Sequence, residues 1–291
     1  MCIDKLLQKK KTIISCEIFP PKIGAEMESS FDIAGKIASL NPAFISVTCG
    51  AAANKAAYTE EIAQYIENSG VPALAHLTCV ATPKAEIVSI LNSYADKGVN
   101  NILALRGDLP KGIQQPDEGC YKYANELVAA IKDYGKQTKR EFSIGAACYP
   151  EGHIESVNQD EDISFLKQKV DSGCDFLTTQ MFFDNNILYK FLYKLSQKRI
   201  DVPVLAGIMP VTNKMQIRRI LELSGTILPS RFANIIDKFG DNPAAMKQAG
   251  IAYATEQIID LVANDVRGIH IYTMNKPDVA QSIMQNLSCI L

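Results

Sequence analysis

Glu17 stands in the apolar run Ile14-Ser15-Cys16-Glu17-Ile18-Phe19, which ends on Pro20 and Pro21. A carboxyl in such surroundings is desolvated when ionised, the condition under which an acid group donates a proton near neutral pH. The plain alternative is an outward-facing or salt-bridged strand glutamate. Farther on, ILALRGDLP places Arg106, Gly107 and Asp108 on a tight turn, a cation beside an anion. Arginine suits a phosphate and aspartate a ribose hydroxyl or the polar edge of a heterocycle, whereas an Arg106–Asp108 ion pair would only shape the loop.

His76 in LAHLTC reads either as a ligand-facing group or as a core histidine bonded to backbone. His153 follows the turn formers Pro150 and Gly152 and is expected to be exposed and ligand-facing. Gln180 precedes Met181, Phe182 and Phe183, and an amide beside apolar faces can hold a flat heterocycle, although such aromatics also make ordinary core. Asp162, Lys167 and Lys169 share one helical stretch, where a solvated face is the default for lysine. His76, His153 and His270 fall on different strands with no matching carboxylate or thiolate pattern, so no metal site is expected.

These residues recur at similar places in a repeating pattern. Short β-branched or apolar runs cover Thr12–Phe19, Ala43–Thr48, Val71–Thr78, Asn101–Leu105, Phe142–Cys148, Asp175–Thr179, Val204–Ile208 and Gly268–Tyr272. Helical spacing fills the intervals near 26–40, 57–69, 83–97, 122–135, 158–172, 185–198 and 212–223, then a pair at 229–239 and 243–264, and a last stretch at 276–287. Thr82-Pro83 and Asn242-Pro243 each offer a side-chain acceptor before a proline, the pattern of a capped helix start. Strict alternation with strands apolar on both faces predicts a parallel sheet, and eight units in 291 residues predict one domain, a (β/α)₈ TIM barrel with an extra helix before the last strand. An open doubly wound sheet is disfavoured because no G-x-G-x-x-G follows the first strand and no Walker-type loop is present. In a barrel the C-terminal strand ends carry the chemistry, and Glu17, Thr48, His76, Arg106, Asp108, Tyr149, Glu151, His153, Gln180, Asn213, Tyr272, Asn275 and Lys276 all fall at or just past such ends.

The composition excludes several classes of function. Thirty Lys+Arg against 32 Asp+Glu give a net charge of −2, which provides no field for non-specific nucleic-acid binding. The start, MCIDKLLQKKKTIISCEIF, lacks a signal-peptide cleavage pattern and no run reaches membrane length; it reads as a polar helix feeding the first strand. Eight scattered cysteines with no C-x-x-C pair predict reduced thiols in a cytoplasmic protein.

The strings CEIFPPK, FISVTCGA, AHLTC, LALRGDLP, AACYPEGH, TTQMFFD, GIMPVTN and HIYTMN, in this order from about Ile14 to about Lys276, resemble the methylenetetrahydrofolate reductase family in its bacterial, catalytic-domain-only form. The resemblance implies a barrel that holds FAD and reduces 5,10-methylenetetrahydrofolate to 5-methyltetrahydrofolate, taking electrons by a ping-pong route from NADH or NADPH. It makes Glu17 the general acid that opens the methylene bridge and Asp108 the carboxylate near flavin and pterin. FAD would be bound by Thr48, His76, Arg106, Gly107, Asp108, Tyr123, Ala124, Tyr149, His153, Asp162, Lys167 and Lys169, and the folate by Gln180, Gln216 and Lys276. Where the family commonly has tyrosine this chain has Cys49, and where it has a third phenylalanine this chain has Met181. Phe165 stands near a usual asparagine, Gln168 near a usual arginine, and Ile220 where an aromatic is expected against the nicotinamide. These departures spare Glu17 and Asp108 and leave the electron donor open between NAD(P)H and a reduced ferredoxin or partner flavoprotein subunit. Because the chain ends soon after the last barrel helix, no regulatory domain and no S-adenosylmethionine feedback are expected, and homo-oligomers are. Two other readings stand beside this one. A proline-dehydrogenase-like flavin barrel would not be expected to carry LRGDLP with AHLTC, and a silent folate- or flavin-binding subunit of a larger complex would not need Glu17.

Overall fold

The computed structural model describes residues 1–9, 11–21, 26–49, 54–109, 112–113 and 115–291, with backbone alone at 54–56, 218, 219, 222 and 223. The motif residues Lys22, Gly50, Ala51 and Pro110 lie outside them. Eight parallel strands close into a barrel in chain order: β1 (Ile13–Ile18), β2 (Ile45–Val47), β3 (Ala73–Thr78), β4 (Asn101–Leu105), β5 (Ser143–Cys148), β6 (Phe176–Thr179), β7 (Val204–Ile208) and β8 (Gly268–Tyr272). Around them run α2 (Glu28–Ala38), α3 (Asn54–Asn68), α4 (Lys84–Asp96), α5 (Ala124–Thr138), α6 (Gln159–Asp171), α7 (Asn185–Gln197), α8 (Lys214–Ser224), α10 (Pro243–Ala263) and α11 (Pro277–Asn286). The predicted extra helix before the last strand is α9 (Ser230–Phe239).

Period-two alternation divides each strand between two cores. Outward residues such as Cys16, Ile45, Ala75, Ile102, Ile144, Leu177, Ala206 and Ile269 join the helices in the main hydrophobic layer. Inward residues Phe44, Leu74, Leu103, Phe176 and Leu205 form a separate apolar floor, sealed from below by Ile3 and Leu7 of α1 (Ile3–Leu7). The N-terminal helix is thus a plug for the barrel bottom as well as a lead into β1. Its first amides donate to barrel side chains, Ile3 N to Asn101 Oδ1 at 2.9 Å and Asp4 N to Ser143 Oγ at 3.0 Å.

Small inward residues make room for large neighbours. A Cβ on Gly145 would stand 2.5 Å from the Phe176 ring, and one on Gly207 would stand 2.4 Å from the Thr179 carbonyl and 2.7 Å from the Tyr272 ring. Asn242 caps α10 as its sequence predicts, accepting from Ala244 N and Ala245 N at 3.1 Å each, with Pro243 at the first turn. The Thr82-Pro83 expectation fails: α4 begins one residue later, Pro83 occupies the cap position, and no side chain caps it. Instead, Lys84 N donates to the Gly119 carbonyl at 3.0 Å, so a neighbouring loop satisfies the helix start. Among the described residues no helix is long and apolar enough to cross a membrane.

Candidate active site at the barrel mouth

Above the apolar floor the barrel interior becomes polar. Ser15 and Glu17 share the inward face of β1, and β1 pairs with β8 so that Ser15 lies opposite His270 and Glu17 opposite Tyr272. On the other side Glu17 lies opposite Ser46. The Glu17 side chain is 18% exposed, and its Oε2 is 3.6 Å from His76 Nε2, 3.7 Å from His270 Nε2 and 3.4 Å from the Ser46 hydroxyl. Ser46 also lies 3.3 Å from His270 Nε2, so its one proton serves either the carboxylate or the imidazole. The other ring nitrogen of His270 is 2.7 Å from the Ser15 hydroxyl, which donates to the Ile269 carbonyl at 3.2 Å. With that proton committed, Nδ1 is the donor toward Ser15. Glu17 is therefore the top of a buried column running down through Ser46 and His270 to Ser15, and this inward placement sets aside the outward-facing alternative.

His76 borders the same carboxylate from β3. Burial lowers its pKa to about 4, against the pull of Glu17, and its Nε2 has no hydrogen-bond partner among the described residues. It faces the acid group at the centre of the barrel, and neither sequence reading of it anticipated that contact. Tyr272 completes the wall, its hydroxyl donating to the Thr179 carbonyl at 2.5 Å.

The exit of β4 carries the second candidate group. Gly107 has φ +81° and a Cβ there would meet Thr78 Cβ at 2.9 Å, so the turn presents bare backbone beside β3. Asp108 is exposed on this turn. The alternative Arg106–Asp108 ion pair does not form. Arg106 holds Glu155 of the β5–α6 loop in a two-pronged bond of 2.5 and 2.7 Å, because the left-handed turn at Gly107 separates the two neighbours. Glu155 is 57% exposed, so this pair is weak and its guanidinium can be ceded to another anion.

The remaining FAD-side residues form an arc from β2 to α6. Thr48 follows β2 directly, and its carbonyl accepts from Thr59 at 2.9 Å. Tyr123, an exposed ring, and buried Ala124 open α5. Tyr149 is mostly buried, its hydroxyl pushed up to about 12 by burial, and its ring meets His153 edge-on at 4.6 Å between centroids. Asp162 is buried near the His153 backbone and Ser156, and that burial raises its pKa. Lys169 is half-buried, donates to the Ala147 carbonyl at 2.8 Å, and has its pKa lowered by desolvation. Lys167 points the other way and pairs with Asp171 on the solvated face of α6, the default arrangement for a helix lysine.

Of the folate-side residues, Gln180 follows β6, its Oε1 taking the amide of Met181 at 3.0 Å. Gln216, on α8, buries both its amide nitrogen and oxygen with no partner for either among the described residues. Lys276 donates to the Thr212 hydroxyl at 2.6 Å. Ser15, Ser46 and His270 are the site residues that motif reading missed. The available signal was parity: Ser15 and Glu17, Ser46 and Thr48, and His270 and Tyr272 are spaced by two on neighbouring strands and so share the barrel interior. Among the described residues no cluster of His, Cys, Asp and Glu could hold a metal ion.

A closed parallel barrel, plugged below and presenting ionisable side chains at its C-terminal mouth, defines a TIM-barrel protein with its site in the usual place. The chain belongs to the methylenetetrahydrofolate reductase family, whose profile matches residues 2–288. A methylenetetrahydrofolate reductase (NADH) of Arabidopsis thaliana is 34% identical across 99% of this chain and 50% of its own length. The 5,10-methylenetetrahydrofolate reductase of Escherichia coli K12 is 32% identical across 94% of this chain and 90% of its own. The chain thus spans about half the length of the plant relatives it matches. Among solved structures, an uncharacterized Clostridium thermocellum protein that binds two copies of 5-methyl-5,6,7,8-tetrahydrofolic acid superposes over the full length of both chains with a TM-score of 0.66. At 14% identity that likeness carries the fold alone.

Proposed function

We propose that this protein reduces 5,10-methylenetetrahydrofolate to 5-methyltetrahydrofolate with bound FAD, NAD(P)H being the electron donor. The observation that carries the reading is the Glu17 carboxyl, held inward at the barrel mouth by Ser46 and the two histidines. In 5,10-methylenetetrahydrofolate one carbon bridges N5 and N10, and the product keeps it on N5, so the bond to N10 must break. Glu17 supplies the proton that N10 takes up, leaving a cationic N5-methylene group whose carbon accepts the hydride. Asp108, exposed at the β4 exit, favours that positive charge electrostatically. Gln216, its amide unpartnered on both atoms, supplies a donor and an acceptor for the pterin edge, with Gln180 and Lys276 as further folate contacts.

The chain's side chains also fit FAD. Gly107 leaves bare backbone where a Cβ would strike Thr78, and Arg106, with His153 on the loop that carries its partner Glu155, offers cationic or hydrogen-bonding partners for a diphosphate. Buried Asp162 and half-buried Lys169 border this arc, Lys169 tying α6 to the end of β5. Bound FAD supplies the hydride transfer, while the protein supplies position and charge. Eight free thiols, five of them buried, suit a reducing cytoplasm.

The test is spectroscopic. The protein is purified anaerobically, NADH is added, and methylenetetrahydrofolate follows. A yellow spectrum that bleaches and then returns supports the reading, and a protein unable to take up FAD defeats it. Bleaching only by a chemical reductant, with recovery by the folate, keeps the folate chemistry and assigns the electrons to ferredoxin or a partner subunit. Glu17→Gln is expected to abolish recovery by the folate while bleaching by NADH stays nearly intact, and loss of both half-reactions together would count against the acid role.

A further inference from the structure

Phe165 is 52% exposed, an unusual setting for a large aromatic on a helix that otherwise buries its apolar side chains Ile163 and Leu166. Among the described residues no other ring lies against it, and it belongs to none of the hydrophobic clusters. Its place on α6 is informative. Residues three and four apart on a helix are neighbours on its surface, which sets Phe165 beside Asp162 on one side and Lys169 on the other. Both neighbours face the barrel, Asp162 being buried and Lys169 donating to the Ala147 carbonyl. The ring therefore stands on the flank of α6 that borders the β5 exit, on the side away from the solvated Lys167–Asp171 pair.

We propose that Phe165 is the stacking platform for the adenine of bound FAD and gives this protein its preference for the dinucleotide over FMN. The inference rests on the flavin reading above. With the reacting ring over the mouth near Glu17 and Asp108 and the diphosphate at Arg106, as proposed above, the flank of α6 past the β5 exit is left for the far end of the ligand, which in FAD is adenine. The charge pattern agrees. Asp160, Glu161 and Asp162 occupy the first turn of α6 and repel a diphosphate from that helix start, so the uncharged base is the part of the ligand this flank accepts. A base stacks on an exposed aromatic face whatever its hydrogen-bonding edge, so Phe165 needs no matching polar partner.

Flavin binding to the apoprotein, followed by fluorescence, tests this apart from turnover. FAD and FMN are titrated against the wild type, Phe165→Ala and Phe165→Tyr. Phe165→Ala is expected to weaken FAD roughly 5- to 150-fold, the range given by losing one base–aromatic stack, and to leave FMN affinity unchanged. Phe165→Tyr should restore FAD binding. Equal FAD affinity in wild type and Phe165→Ala would overturn the inference while leaving the flavin reading intact, as would an equal loss for both flavins. A wild type that binds neither flavin would instead defeat the flavin reading itself.

Discussion

The proton-donor role proposed for Glu17 needs fixed surroundings, and they are fixed by two histidines of different character. His270 is tied at both ring nitrogens, to Ser15 at 2.7 Å and Ser46 at 3.3 Å. His76 is held in a desolvated site with Nε2 unpartnered. Because burial lowers the His76 pKa to about 4 from the ordinary 6.5, the unfolded chain binds a proton there between those values and the folded chain does not. Stability is therefore lost as pH falls from 6.5 toward 4, by roughly 3 kcal/mol at most for this one group. His76→Asn removes that contribution. Urea midpoints measured from pH 7 to pH 4 should fall less steeply for the variant than for the wild type, and parallel curves would show that His76 titrates normally. Glu17 and Asp108 were legible from short strings, because a charge in an apolar strand or on a Gly turn is conspicuous. The serines and His270 were not, because each is unremarkable alone and acquires its meaning only from the pairing of β1 with β2 and β8.

At the scale of elements, the order of strands and helices followed from periodicity, and most boundaries fall within about two residues of the expected ones. What periodicity could not convey is how elements meet. The N-terminal helix reads as polar, yet Ile3 and Leu7 are almost fully buried under the barrel floor with Phe44, Leu74 and Phe176. Leu7→Ala is expected to cost about 2–5 kcal/mol of unfolding free energy by leaving a cavity there, with flavin affinity unchanged since the mouth lies at the opposite end. Equilibrium unfolding together with a flavin titration checks both halves, and a loss of flavin affinity at full stability would contradict the separation. A tighter contact joins α10 to the segment after β7, where a Cβ on Gly250 would fall 1.8 Å from the Val211 carbonyl. Backbone cannot yield as a side-chain tip does, so Gly250→Ala should destabilise by at least the 1–3 kcal/mol typical of overpacking, and a urea midpoint like that of the wild type would show that α10 shifts freely.

The whole molecule adds a constraint that no residue or element carries alone. The interior of the barrel is sealed below by the apolar floor and by α1, while the polar column under Glu17 and the candidate cofactor arc from Thr48 to Lys169 open toward the C-terminal rim. If the protein is the flavin-dependent reductase proposed above, one mouth admits both the electron donor and the folate, each approaching the same reactive ring near Glu17. On the proposed reading, two bulky reactants that need one place are served in turn, the first product leaving before the second substrate enters. Initial rates measured at several fixed NADH concentrations against methylenetetrahydrofolate should give parallel double-reciprocal lines, with high folate inhibiting competitively against NADH. Lines that converge would mean both reactants are bound at once, which would require a second route to the ring, such as electron delivery from a protein docked at the rim.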